Sequence, residues 1–149
     1  MEILNLVNNK ISDMDILEKV NFKELKELNL SSNKISDIKV LEKVQFEKLE
    51  RLDLSNNEIK DIDILEKVNF KELKELNLSG TNLSYIKILE NMNFEKLEKL
   101  YLNWNNLLDI EVLEKLNFKE LKELYLSNIN ISDIKVLENI KFEKLKNYI

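Results

Sequence analysis

LKELNLSSNKISDIKVLEKVQFEK, residues 25–48, decides the fold. Its apolar residues change rhythm part-way along. Leu28 and Leu30 alternate with polar neighbours, the spacing of a strand with one buried face. Ile38, Val40, Leu41 and Val44 then fall along a helical stripe, with Ser36 or Asp37 placed to cap its start. Phe46 follows as a large apolar group suited to plug a core before the next strand.

The stretch recurs throughout the chain. Phenylalanine occurs at 22, 46, 70, 94, 118 and 142, each 24 residues after the last, and nowhere else. Units start at Met1, Leu25, Leu49, Leu73, Leu97 and Leu121; six full units fill residues 1–144, and 145–149 begin a seventh. One copy could not bury its apolar face alone, whereas stacked copies bury it continuously. We therefore expect a single solenoid domain over residues 1–149. Parallel strands are expected near residues 27–30, 51–54, 75–78, 99–102 and 123–126, with the six phenylalanines buried in one stack.

Leu25, Leu28, Leu30, Asn33 and Ile35, repeated as Leu49, Leu52, Leu54, Asn57 and Ile59, resemble the LxxLxLxxNxL motif of leucine-rich-repeat proteins. The following ISDI (Ile35 to Ile38) is similar to the internalin type of repeat, although this unit is longer than usual. The resemblance covers the whole chain. It implies an α/β fold, a right-handed solenoid with a parallel sheet on the concave face and short helices on the convex face. It also implies that Asn9, Asn33, Asn57 and Asn105 hydrogen-bond buried backbone at the turns. Such a ladder would replace the missing turn chemistry of a chain with no proline and one glycine, Gly80. Thr81 could serve in part at its position in the ladder, and Ile129 cannot.

A second period of 48 residues overlies the first. Lys23, Glu47, Lys71, Glu95, Lys119 and Glu143 alternate in sign from unit to unit. Glu24, Lys48, Glu72, Lys96, Glu120 and Lys144 alternate beside them, as do Glu2 to Lys122 and Asp15 to Lys135 at their own positions. With units stacked at strand spacing, each charge is expected between two opposite ones, avoiding like-charge repulsion along the stack.

The composition excludes several function classes. No histidine is present, which removes the commonest general base, and no glycine-rich phosphate loop occurs. The chain is therefore expected not to be an enzyme, with no catalytic residues and no cofactor. Without cysteine it has neither disulfides nor a thiolate metal site. The triplets Asp13–Asp15 and Asp61–Asp63 read as caps and members of the charge ladder rather than as a metal site. The row Glu18, Glu42, Glu66, Glu90, Glu114 and Glu138 reads as a solvated convex face. Asn-x-Ser sequons at Asn77 and Asn130 come with the repeat. A formal charge of −5 argues against nucleic acid as the direct ligand. No apolar run approaches a membrane span, and MEILNLVNNK lacks the features of a secretory leader, so a cytoplasmic location is expected.

The residues that depart from the repeat are the candidate site. The outward face of the sheet is expected to use positions 3, 5, 7 and 8 of each unit. Small polar residues hold positions 5, 7 and 8 in units two to four. Unit five instead has Tyr101, Asn103 and Trp104, and unit six has Tyr125. Tyr85 stands where the other units have Asp, and Leu108 where most have Ser. Drift, with aromatics covering a weak end, is the bland explanation. Trp and Tyr are also the residue types enriched in binding hot spots.

The leading functional expectation is a non-enzymatic protein–protein interaction module that binds another protein, not a small-molecule substrate, through the concave face and this aromatic patch. A narrower one comes from a general resemblance to small leucine-rich-repeat anti-CRISPR-type proteins of low-GC bacteria and their mobile elements. It implies docking on a type VI RNA-guided ribonuclease. A third is a structural protein assembling end to end. The chain starts and stops on the repeat without a polar cap, and Ile3 and Val7 put apolar groups outward on the first strand. Weak self-association through Met1, Leu4 and Leu6 at one end and Leu145, Tyr148 and Ile149 at the other is then expected.

Overall fold

The computed structural model describes residues 1–140, Lys144 and the backbone of Asn147 and Tyr148. Seven short strands run in chain order: β1 (Ile3–Asn5), β2 (Glu27–Asn29), β3 (Arg51–Asp53), β4 (Glu75–Asn77), β5 (Lys99–Tyr101), β6 (Glu123–Tyr125) and β7 (Asn147–Tyr148). They form one sheet in that same order, and every adjacent pair is parallel. The register is the sequence period: Leu28 sits opposite Leu52, which sits opposite Leu76, which sits opposite Leu100. The fold is the right-handed solenoid expected, with β2 to β6 lying within the five expected strand ranges.

The helical stripe forms, but not as α-helix. Each unit carries a 3₁₀ segment: η1 (Asp15–Glu18), η2 (Lys39–Glu42), η3 (Asp63–Glu66), η4 (Lys87–Asn91), η5 (Ile110–Lys115) and η6 (Ile134–Asn139). An α-helix with its side chains is about 10–12 Å across, roughly twice the spacing of parallel strands. A slimmer 3₁₀ turn stacks over such strands with less splaying, and β-branched Ile and Val weaken the α alternative. Of the two candidate caps, aspartate acts. Oδ1 of Asp13, Asp37, Asp61 and Asp133 accepts a hydrogen bond from the backbone N–H two residues on, at 2.7, 2.8, 2.8 and 2.9 Å.

The core is a column of identical layers. In unit two Leu25, Leu28, Leu30, Ile35, Ile38, Leu41 and Phe46 are all buried, and the equivalents below them continue the column. Phe46, Phe70, Phe94 and Phe118 are buried, and the rings of Phe46 and Phe70 stack at 6.4 Å and 17°. The expected stack of six needs correction at its start. Phe22 is only half-buried, because it has a packed neighbour on one side alone. Phe142 lies outside the described residues.

The asparagine ladder forms in units two, three and five, while Asn9 is exposed and bonds only the Leu6 and Val7 carbonyls of its own unit. Asn57 Nδ2 donates to the carbonyls of Leu54 in its own unit, 2.9 Å, and Leu30 in the preceding one, 3.0 Å, while its Oδ1 accepts from Ile35 N–H at 3.0 Å. Asn33 and Asn105 repeat this set. Thr81 keeps the bond within its own unit, from Oγ1 to the Leu78 carbonyl at 2.7 Å, and reaches Asn105 Oδ1 of the following unit at 3.4 Å, but makes none to the preceding unit. Ile129 is buried in the ladder with no polar group to offer.

A second periodic device sets the turn. Asn8, Ser32, Asn56, Gly80, Trp104 and Asn128, all at position 8, have φ between 52° and 62°, in the left-handed region. Positions 7 and 8 therefore belong to the turn, not to the sheet face as expected. Gly80 is further constrained, since a Cβ there would lie 2.7 Å from Asn56 Oδ1. At position 5, Asn5, Asn29, Asp53 and Asn77 use Oδ1 to accept from the N–H of the residue at position 7, at 2.9–3.1 Å. Asx turns of this kind do the work that Gly and Pro do elsewhere.

The charge ladder closes in pairs rather than in continuous rows. Lys26 bonds Glu2, Lys74 bonds Glu50 and Lys122 bonds Glu98, at 3.0, 2.7 and 2.8 Å. Lys48–Glu24, Lys96–Glu72 and Lys144–Glu120 follow suit, each at 2.6 Å. Each lysine takes the carboxylate of the preceding unit, so units join as one–two, three–four and five–six at both positions. Arg51 alone reaches both ways, to Glu27 at 3.9 Å and Glu75 at 3.4 Å. The alternations beginning at Asp15 and Lys23 form no such pairs between units among the described residues.

Candidate protein-binding face

Tyr101 and Tyr125 occupy position 5 of adjacent strands, in direct register across β5 and β6. Their rings stack face to face with centroids 4.3 Å apart and planes 8° apart. Both are half-buried, against each other, rather than fully exposed. Tyr125 Oη donates to Glu123 Oε2 at 2.6 Å, and Lys99 Nζ lies 3.3 Å from the same carboxylate. The hydrogen bond to Glu123 pushes the Tyr125 phenol up to about 12, with burial adding to it. The same bond, with Lys99, holds the Glu123 carboxyl below its ordinary range. Tyr101 is also raised, by burial first and by the Glu75 carboxylate second.

Trp104 is the decisive residue. It holds φ 57° at position 8, and its side chain is among the most exposed large apolar groups of the chain, at 68%. Its backbone N–H donates to the Ser127 carbonyl at 2.9 Å, which fixes the turn against unit six. No ring pairing among the described residues joins it to the tyrosines. Asn103 ties three units together. Its carbonyl accepts from Gly80 N–H at 2.8 Å, its Oδ1 accepts from Ser127 N–H at 2.8 Å, and its Nδ2 reaches Ser79 Oγ at 3.5 Å.

Tyr85 and Leu108 are exposed, at 64% and 60%. Leu108 N–H donates to the carbonyl of Ser84, next to Tyr85, so the two sit on adjoining backbone past the turn. Tyr85 removes the aspartate that elsewhere accepts from the N–H two residues on, and Asp109 of the following unit instead binds the neighbouring Ile86 N–H. Both its carboxylate oxygens accept from Ile86 N–H, at 2.9 and 3.0 Å.

Sequence reasoning missed the conformational demands at positions 5 and 8. The signal was available: position 8 holds Asn three times and the chain's one glycine, residue types that tolerate a left-handed backbone.

Other candidate features resolve into structure. Asp13 and Asp61, the leading members of the two triplets, cap η1 and η3. Among the described residues no group of carboxylates is arranged to hold a metal ion, and no helix is long and apolar enough to cross a membrane. A convex groove lined by Asp15, Asp37, Lys39, Lys43, Asp63 and Lys67 is mixed in charge and separate from the aromatic face.

A model of paired leucine-rich repeats matches residues 1–43 and 47–91, more than half of the chain. This chain belongs to the leucine-rich-repeat family. No curated protein matches it. Among solved structures it is similar to internalin F of Listeria monocytogenes, with 26% identity and a TM-score of 0.65 over 99% of this chain and 47% of that one. It is also similar to a leucine-rich-repeat protein of Leptospira interrogans, with 25% identity and a TM-score of 0.73 over 96% of this chain and 37% of that one. Internalin C2 of Listeria monocytogenes shares the fold at 24% identity, with a TM-score of 0.71 over all of this chain and 70% of that one. The chain thus spans about half the length of the internalin F structure. Leucine-rich-repeat proteins commonly act in protein–protein interaction and are typically non-enzymatic.

Proposed function

We propose that this chain binds a partner protein through the face built by Tyr101, Asn103, Trp104 and Tyr125, flanked by Tyr85 and Leu108, with Trp104 as its anchor. One observation carries the reading. Trp104 occupies a left-handed backbone position, held elsewhere by Asn, Ser or Gly, with its ring in solvent. An L-residue there forgoes roughly 1–2 kcal/mol, and a ring left in solvent recovers little of it by burial. The left-handed turn recurs in every unit, so what sets unit five apart is the choice of Trp, which has neither the tolerance of Asn or Gly for that backbone nor the gain of burial.

The tyrosines add to the same account. At position 5 they replace the residue type that forms the Asx turn in units one to four. Unit six recovers the Ser127 bond only from Asn103 of unit five. Departures that weaken the fold and gather aromatics on one face fit binding better than drift.

The test is affinity capture from lysate of the native host with the wild-type chain and Trp104→Asn side by side. A protein retained by the first and lost with the second, with affinity lower by more than about tenfold in a purified titration, is the expected result. Equal capture by both chains would remove the reading.

A further inference from the structure

The binding face lies inside a zone with no charged residue. Positions 5 to 12 of units four, five and six are residues 77–84, 101–108 and 125–132, and none of these 24 residues is Asp, Glu, Lys or Arg. The same positions in units one to three hold Lys10, Lys34, Asp53, Glu58 and Lys60.

The zone is continuous. Gly80 N–H reaches the Asn103 carbonyl, Trp104 N–H the Ser127 carbonyl, and Asn106 N–H the Leu83 carbonyl, at 2.8, 2.9 and 3.1 Å. Part of it faces solvent, while Leu78, Thr81, Leu83, Leu102, Asn105, Leu107 and Ile129 are buried beneath. Asn82, Trp104, Asn106, Leu108, Asn128 and Asn130 are exposed. The amides are ordered as well, since Asn130 Nδ2 donates to Asn106 Oδ1 at 2.7 Å. Charges resume at once on both sides, with Glu75, Lys99 and Glu123 along the strands and Asp109 and Asp133 beyond the turn. An uncharged centre rich in aromatics with a charged rim is the anatomy of a protein interface. Tyr, Trp, Ser, Asn and Gly are also the residues of adaptable paratopes.

Resting on the docking site proposed above, we infer that the occupant is a linear segment of the partner that carries no charged side chain where it crosses this zone. Two arguments fix that chemistry. A charged group brought to the centre of the zone would lose hydration, and the rim charges nearest to it are already engaged, Glu123 with Tyr125 and Lys99 and Glu75 with Arg51, so the zone rejects acidic and basic segments alike. Three units at ~4.8 Å and eight residues at no more than ~3.3 Å each bound the footprint at roughly 380 Å², and the bend at position 8 and the buried side chains make it smaller. That is less than half of the ~800 Å² a standard folded partner covers, and it suits a segment of several residues.

The experiment is selection of a random peptide library on the wild-type chain. Selected peptides are expected to be depleted of Asp, Glu, Lys and Arg at their central positions. Their affinities should change less than about twofold between low and high sodium chloride, because screening acts on charge pairs. Asn106→Lys should weaken them at least tenfold. The fold tolerates that change, since Lys10 and Lys34 hold the same position. Glu47→Lys, a charge change outside the zone, should have no effect. Charged consensus peptides with steep salt dependence, capture of a neutral glycan in place of peptides, or no enrichment would each overturn the inference. Trp104→Ala separates the two claims. Charged peptides that Trp104→Ala releases would sink the uncharged chemistry alone, whereas peptides indifferent to Trp104→Ala would sink the docking site itself.

Discussion

Trp104 and Tyr125 show how a single side chain can be read for what it gives up. At φ 57° Trp104 is replaceable by asparagine, which units one, three and six carry at the same position. Trp104→Asn should therefore stabilise the fold by about 1 kcal/mol in urea denaturation. Trp104→Ala, equally strained, should leave stability nearly unchanged. A marked loss with either variant would mean that the ring packs in the fold. For Tyr125, hydrogen bonding to Glu123 raises the phenol to about 12 in the folded chain. The proton is thus held more tightly folded than unfolded. The stability this contributes is complete below the ordinary phenol range and disappears as pH rises through it toward 12. Ultraviolet titration should show Tyr125 ionising late, with Tyr101 also raised, and Glu123→Gln should bring Tyr125 back toward the ordinary value. The tyrosine pairing itself was legible in the sequence, because equal positions in successive units must face one another. The left-handed turn was legible only from position 8 taken across all units, where three Asn and the one Gly stand, because Trp104 and Ser32 by themselves give no sign of it.

At the scale of the element, the asparagine ladder governs the turns more than any apolar contact there. Asn57 satisfies four backbone groups with one amide, the N–H of Ile35 and the carbonyls of Leu30, Leu54 and Ser55. Asn57→Ala should cost about 3 kcal/mol or more, since each orphaned buried group costs roughly 1–3 kcal/mol. Thr81→Asn is the converse. It should restore the bonds to the preceding unit that Thr81 cannot make and raise the urea midpoint. A drop in midpoint would show that the site has adapted to threonine. Strand positions and the ladder followed from the repeat, because a period of two in a buried face has one register. The 3₁₀ form of the convex segments did not follow, because the apolar stripe fits both helix types and the choice is made by the width available between strands. Charge alternation was visible too, but the pairing in twos depends on which way each lysine leans, and the sequence does not carry that.

Among the described residues, each strand neighbours the strands of adjacent units alone, and each 3₁₀ segment those of adjacent units: β3 meets β2 and β4, and η3 meets η2 and η4. The chain is a one-dimensional array in which each layer supports the next. Phe70 sits at its middle, buried and stacked at 6.4 Å on Phe46. Phe70→Ala should cost about 3–5 kcal/mol as a cavity. In a close-knit globular core that loss would lower every opening free energy together. Here the defect lies between two blocks that communicate only through it. Units one and two, with their complete Asx turns, should then separate energetically from units four to six, where Thr81, Ile129 and the strained Trp104 interrupt the periodic bonding. Hydrogen exchange read by mass spectrometry is the measurement. In the wild type, amides of β2 and β5 should share one global opening. In Phe70→Ala the two should diverge, with β5 and β6 exchanging first. Uniform acceleration of all strands would show that cooperativity extends across the cavity, and that the binding face is stabilised by the whole column rather than by its own three units.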